Sequence, residues 1–393
     1  MRENVLTKKK LGEKFLFVTT KTFDVRYALY SLAVQAMRDP SKRFRLFNLL
    51  SKKQLLLRSL KKLSKGRGRH ARGVDGVRPI DWEANPEARI QFLRRKLIEG
   101  SYRSAQLRPA SVVNAYTGKA RTVGIASVED RVLANALSQI LTALFEHNFS
   151  DSSFAYRPRR GPKLAVRKSA AWILEHSDHT IVQLDVTGFF DNIRHAGLRE
   201  RLRRRVRDKR AFRLLNGMLR ANFEGIAGAN KIGVAQGLTC SGLLANIYLF
   251  EFDELLAGYF RSLGGCYLRY SDDITVFVPS QHADVAQRRV TEELKLLGLE
   301  VNQKKTFVGS VQNGFDLFGF HLFASNARVH VRVSEPSLER LSSRLKTLNE
   351  KHSGEELLSK RTQLITGWAG YYTVNRVTER QLKDMTVSTP ASA

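Results

Sequence analysis

The stretch LRYSDDITVFV, residues 268–278, decides how the rest of the chain is read. Two short β-rich runs, GCYLRY ending at Tyr270 and ITVFV starting at Ile274, leave only Ser271, Asp272 and Asp273 between them. So short a connection predicts a tight antiparallel hairpin with carboxylates at its tip. Two adjacent aspartates on a turn are ordinarily turn formers, because their side chains bond the nearby backbone. Their meaning depends on what else the chain supplies.

Upstream, HTIVQLDVTGFFDNI predicts a buried strand over Ile181 to Val186 with Asp185 at its end, then a turn at Gly188 toward a helix start. Phosphoryl transfer to a sugar hydroxyl uses two divalent ions about 4 Å apart, one at the attacking oxygen and one at the leaving group. Magnesium is a hard ion that takes oxygen ligands, so carboxylates at strand ends are the protein's natural contribution. If this strand and the hairpin pair in one sheet, Asp185, Asp272 and Asp273 converge on a point that no single segment could build.

The 393 residues suffice for two or three domains with a real core, and an apolar share of 42% is that of an ordinary globular protein. Sixty-six Lys and Arg against thirty-seven Asp and Glu give a net charge of +29 and a pI near 10.4. Such a surplus favours a polyanionic partner, since each neutralised phosphate releases counterions. The less favoured reading of charge alone is a ribosome-associated or merely basic protein. Cys240 and Cys266 are too few for a disulfide framework, and no Cys/His cluster has zinc spacing, which points to a reducing cytoplasm. The apolar runs Phe15–Val18 and Leu243–Phe250 are too short for a signal segment or a membrane span, so no membrane partner is expected.

Residues 1–70 read as a basic helical region, with KRFRLFNLLSKKQLLLRSLKKL at helical spacing, followed by a flexible basic loop, KGRGRHARGVDGVRP. From Pro79 to Phe149 the pattern is mostly helical, interrupted by two β-rich runs that flank a Tyr116–Lys119 turn. GLLANIYLFEFDELL and RRVTEELKLLGLEV, the latter ended by Gly298, predict helices, as does the tail from Pro336 to Trp368. The fold class is α+β with an antiparallel sheet.

Seven blocks occur in one order: RTVGIASVEDRVLANAL, FAYRPRRGPKLAV, QLDVTGFFDNI, AQGLTCSGLLANIYL, LRYSDDI, LGLEVNQKKT and FDLFGFHL. In this order and spacing the chain resembles the reverse transcriptases, most closely the bacterial ones of the group II intron and retron-related lineage, from about Gly73 to Tyr372. The resemblance implies a right-hand polymerase: fingers over 71–180, palm over 181–325 and a helical thumb over 326–393. It implies an RNA-directed DNA polymerase using two Mg2+ ions, with Mn2+ able to substitute, held by Asp185, Asp272 and Asp273. Phe190 then excludes a 2′-hydroxyl, Gln236 and Gly237 lie against the nucleotide and template, and Arg121, with Lys119 as second candidate, holds the triphosphate. Lys305 matches the family's pyrophosphate-protonating lysine, with Lys304 adjacent. Phe318-Gly319-Phe320 resembles the primer grip, and Arg157 and Arg160 are expected on template backbone. Asp191 and Asn192 read as a turn or cap. The Arg199–Arg213 run reads as an RNA-facing surface, and Trp368, Tyr371 and Tyr372 as aromatic packing between thumb helices.

The implied partners are an RNA template, expected to be a structured noncoding RNA, a DNA primer and product, and deoxynucleoside triphosphates. Where the family has Ser-Pro-Leu-Leu, this chain has Ser241-Gly242-Leu243-Leu244, and losing Pro is expected to loosen that helix entry. With no Cys/His nuclease module, the layout resembles a retron or antiviral-defence enzyme. The alternative is a maturase-type RNA-binding splicing factor that keeps the polymerase core as scaffold.

Overall fold

The computed structural model describes residues 23–113, 120–225, 231–326 and 328–373, with the backbone alone for Val113 and Arg121. Three antiparallel sheets order the chain. β1 (Arg108–Val113) and β2 (Ala120–Ile125) form a two-stranded ribbon whose expected turn at 116–119 lies outside the described residues. β3 (Thr180–Asp185), β4 (Cys266–Tyr270), β5 (Asp273–Val278) and β6 (Phe307–Ser310) make a sheet in the order β4-β5-β3-β6. β7 (Phe315–Leu317), β8 (Phe320–Ser325) and β9 (Arg328–Val333) make the third.

The four-stranded sheet is buried on both faces, which is why its strands read as nearly continuous apolar runs rather than as alternation. Val182, Leu184, Ile274 and Val276 enter one core, shared with helices from Val25 to Leu294. Ile181, Phe277 and Leu268 enter a second, shared with β7–β9 and the last helix. The first core is threaded by two helices buried on most sides, Val128–Phe145 and Ser241–Ser262. The former starts on Ser127, whose side chain accepts from Asp130 N, with Glu129 and Asp130 in its first turn where carboxylates favour the helix dipole.

Several expectations shift. β3 covers Thr180–Asp185, one residue earlier than expected, and Val186 N instead donates to Asp272 O at 3.1 Å. The hairpin turn has two residues rather than three, because Asp273 already pairs with Tyr270. Ser271 holds φ +62°, and Asp272 is not among the residues of positive φ, the pattern of a type II′ turn, where glycine is the usual first residue. The expected loop after residue 65 is pinned rather than free: Arg131, buried, donates to Ala71 O at 2.8 Å. The tail is two helices, Glu335–Lys351 and Gly354–Tyr372, broken at His352 and Ser353, which are both extended.

Candidate active site

Register builds the site. In the β3–β5 pair Asp185 stands directly opposite Asp273, so the two side chains share a face. Like charges directly opposite are destabilising, and here a cation answers them: Lys305 Nζ donates to Asp185 Oδ2 at 2.6 Å. Lys305, not Lys304, makes this contact. Asp185 O also accepts from Asn302 N at 2.8 Å, which draws the lysine-bearing segment onto the strand end.

Two cavities meet at Asp185 and Lys305. The larger, about 800 Å³, is lined by Asp185, Phe190, Gln236, Asp272, Lys305 and, from β2, Thr122. The smaller, about 270 Å³, holds Asp273 with Asp185, Lys305, Asp316 and Phe318. The two turn aspartates therefore face different cavities, as the step from turn to strand demands. Among the described residues no three His, Cys, Asp or Glu side chains are gathered closely enough to hold a metal ion. The donor chemistry nonetheless fits a hard cation: two carboxylates share a face, and an ammonium group already stands as counter-ion on Asp185.

The turn carrying Asp272 is anchored from within. Arg269, 1% exposed, donates through Nε to Asp253 Oδ1 (2.7 Å), through Nη2 to Asp253 Oδ2 (2.5 Å), and through Nη1 to Ser271 O (2.9 Å). Tyr267 Oη also donates to Asp253 Oδ1, at 2.8 Å. Burial opposes the charge on Arg269, but the Asp253 carboxylate more than offsets it and the guanidinium pKa is raised. Neither residue was singled out from sequence, where Asp253 is one acid in an apolar helix. An ionisable residue in so apolar a run was the available signal.

Phe190 projects into the larger cavity with its ring edge-on to Tyr156, centroids 6.0 Å apart, and 5.3 Å from buried Phe189. Tyr156, also missed, lies 3.2 Å through its hydroxyl from Ser271 Oγ, so one ring touches both the aromatic and the acidic turn. Gly242 explains the placement: a Cβ there would meet Tyr156 ring atoms at 2.3–2.6 Å. A glycine here, where the family has proline, thus makes room for a ring.

Gly237 holds φ +124°, and a Cβ would stand 2.6 Å from Gly124 O, while Gly124 N donates to Gln236 O at 2.8 Å. This glycine permits close approach to β2 itself, bringing Thr122 to the cavity wall. The backbone of Arg121 belongs to the same strand, and Lys119 lies outside the described residues. Asn192 Nδ2 donates to Thr187 O and Gly188 O at 3.1 Å each, a turn as expected.

Phe318 (φ +52°) and Gly319 (φ +86°) form the two-residue turn between β7 and β8. Phe318 packs on Tyr270, centroids 4.9 Å apart, and its carbonyl accepts from Tyr371 Oη at 3.0 Å. Phe320 lies 5.1 Å from Tyr372. Tyr371 and Tyr372 therefore pack on this turn and on β8, and with Trp368 they share a core with Leu341 of the helix Glu335–Lys351, so the aromatics join the last two helices to the sheet.

One basic expectation is corrected and a second is narrowed. Arg157 is buried, with Nη1 donating to Ser150 O (2.5 Å) and Ser153 O (2.9 Å) and Nε to Glu146 (3.0 Å), so it braces a loop and has no hand free for template. Arg160 pairs with Asp151. Within Arg199–Arg213, Arg205 turns inward to Ala36 O (2.6 Å), and Arg201 and Arg204 pair with Glu251.

Residues 109–322, over half of the chain, match the family described as reverse transcriptase (RNA-dependent DNA polymerase), and the chain belongs to that family. Among its relatives, Protein YkfC of Escherichia coli (strain K12) is 28% identical over 339 residues, spanning 76% of this chain and 88% of that protein. Group II intron-encoded protein LtrA of Lactococcus lactis subsp. cremoris is 29% identical over 178 residues, spanning 43% of this chain and 28% of LtrA. A protein in the cob intron of Schizosaccharomyces pombe is 29% identical over 153 residues, 37% of this chain and 18% of its own length. The two bacterial relatives fit the group II intron- and retron-like branch of the family. Among the described residues no helix is long and apolar enough to cross a membrane.

Proposed function

We propose that the protein is an RNA-directed DNA polymerase that extends a DNA strand from deoxynucleoside triphosphates at the cavity around Asp185. The observation that carries this reading is the registered pair Asp185–Asp273, with Asp272 on the adjoining turn and Phe190 and Gln236 on the same cavity wall as Asp185 and Asp272. On this reading the four-stranded sheet is the palm, the β1–β2 ribbon with its neighbouring helices the fingers, and the last two helices the thumb. The boundaries near 70, 180 and 325 belong to the same proposal.

Asp185, Asp272 and Asp273 would hold divalent magnesium, which when bound lowers the pKa of the primer hydroxyl and neutralises the triphosphate. Lys305 balances the acids in the free protein and, once displaced from Asp185, stands within the same cavity to donate a proton to the leaving pyrophosphate. Phe190, backed by Tyr156, occupies the wall where a 2′-hydroxyl would enter. The Phe318-Gly319 turn, clamped by Tyr371, holds the primer end beside Asp273. Arg121, whose backbone lies in β2, and Lys119 are the triphosphate ligands of this scheme. The net charge of +29 supports a structured RNA as template.

The test is magnesium-dependent incorporation of labelled deoxynucleotides on a primed RNA template. Wild type should incorporate and an Asp272→Asn, Asp273→Asn double variant should not; equal behaviour would sink the reading. Likeness to an intron-encoded protein favours one second reading, a maturase-type splicing factor, under which the double variant would still promote intron splicing and neither protein would incorporate nucleotide.

A further inference from the structure

Away from the acids, a groove of about 800 Å³ runs between the helix Lys209–Arg220, the Tyr102–Ser104 segment and the end of the helix His195–Arg205. No acidic residue lines it. Arg203, Arg207 and Lys209 supply one rim, Arg213 and Arg220 continue along the helix, and all five are exposed. Arg43 joins the rim beside Val206 and Arg207, and Arg103 lines the groove from the Tyr102–Ser104 segment. The neighbouring acids are already engaged. Asp208 accepts from Arg210 N (3.0 Å) and Phe47 N (2.9 Å), and Asp130 from Ser104 Oγ (2.5 Å) and Ala105 N (3.1 Å).

The walls are fixed in advance. Phe44 N donates to Arg205 O at 2.7 Å and Arg207 N to Phe44 O at 3.0 Å, which zips the Arg43 segment to the Arg207 segment. The bare Gly217 lets Ser104 close in, its Cβ 3.4 Å from where a glycine Cβ would stand. Two floor features go beyond charge. Phe212 shows a half-buried ring with the Arg203 guanidinium 5.8 Å above it, a platform of the kind on which bases stack. Asn216 lines the groove with its side-chain oxygen buried and without a hydrogen-bond partner, so a rotation of the amide would present an unmatched acceptor to a hydroxyl or amine.

We propose that this groove is a second nucleic-acid site that binds a single-stranded segment of RNA, its phosphates on the arginine rims, a base on Phe212 and a 2′-hydroxyl donating to Asn216. Folded RNA offers such unpaired segments, and the 2′-hydroxyl is the donor that DNA lacks. The groove runs to the end of the helix whose following residues, Ala221 to Phe223, line the acidic cavity, so one RNA could occupy both. The proposal rests on the family's RNA chemistry only for the class of partner.

The test is fluorescence anisotropy of the full chain with a short unstructured RNA oligonucleotide and its DNA counterpart over a salt series. An Arg203→Gln, Arg207→Gln, Arg213→Gln variant should bind RNA about tenfold more weakly or worse. Its slope of log affinity against log salt should be smaller by about two, at roughly 0.7 per phosphate on a single strand. Asn216→Leu should bring RNA affinity down to that of DNA. The Asp272→Asn, Asp273→Asn variant should keep its RNA affinity, and the arginine variant should still extend a short primed template, which separates failure here from failure of the polymerase reading. Wild-type RNA affinity and salt slope in a natively melting arginine variant would overturn the proposal, as would equal wild-type affinity for RNA and DNA.

Discussion

Replacing Arg269 by Met tests whether the acidic turn is held by a buried charge. The side chain is about as long, so packing changes little while five hydrogen bonds vanish: two to Asp253 (2.7 and 2.5 Å), and one each to Ser271 O (2.9 Å), Ser153 Oγ (3.1 Å) and Asn246 Oδ1 (3.2 Å). Asp253, 1% exposed, would keep the Tyr267 hydroxyl as a donor. Stranding one partner of a buried ion pair costs about 3–5 kcal/mol, a large share of a total stability of about 5–15 kcal/mol. Urea unfolding followed by circular dichroism reads that loss directly. Adding Asp253→Leu removes the stranded charge and should return stability to within ~1 kcal/mol of wild type, since a hydrophobic replacement of a buried pair is often neutral. The double variant still leaves Ser271 O without its arginine donor, so the turn bearing Asp272 loses its anchor. A misplacement of about 1 Å can lower a rate roughly a hundredfold, and nucleotide incorporation should fall by at least about tenfold while stability recovers. A loss below about 1 kcal/mol in Arg269→Met, on the scale of an exposed pair, or a fully active double variant, would refute the reasoning.

Three further outcomes are expected. Gly242→Ala should cost about 1–3 kcal/mol by overpacking against Tyr156 and raise ribonucleotide incorporation by freeing Phe190; adding Tyr156→Ala should remove the stability penalty, and unfolding with competition between ribo- and deoxynucleotides reads both. Gly237→Ala, at φ +124° and 2.6 Å from Gly124 O, should cost about 1–3 kcal/mol and raise the nucleotide KM by moving β2 off the cavity, seen in unfolding and steady-state kinetics. Burial pushes the Cys240 thiol up to about 12 and that of Cys266 up to about 11, so both should resist a thiol reagent at pH 8 until the protein unfolds. Because these values lie above the ordinary value of 9.0, unfolded thiols ionise first, and stability should fall as pH rises from 9 toward 11 and 12, with no such contribution below 9.

The sequence by itself determined the strands around Asp185 and the Asp272–Asp273 turn, the long apolar helix after Gln236, the α+β class and the family. Each of these rests on local order: spacing of apolar residues, a turn too short for anything but a hairpin, and blocks met in sequence. What only the tertiary structure decided are pairings between residues far apart in the chain. Register put Asp273 across from Asp185 in the smaller cavity while Asp272 meets Asp185 in the larger one, and Lys305 reached Asp185 across 120 positions. Arg157 and Arg205 read like other surface arginines, yet carbonyls ending nearby segments drew them inward. The Arg269–Asp253 pair and the fit of Tyr156 over Gly242 were equally silent. Side-chain periodicity reports which face of its own element a residue takes; which atoms wait on that face depends on how the elements pack, and periodicity within one segment does not encode it.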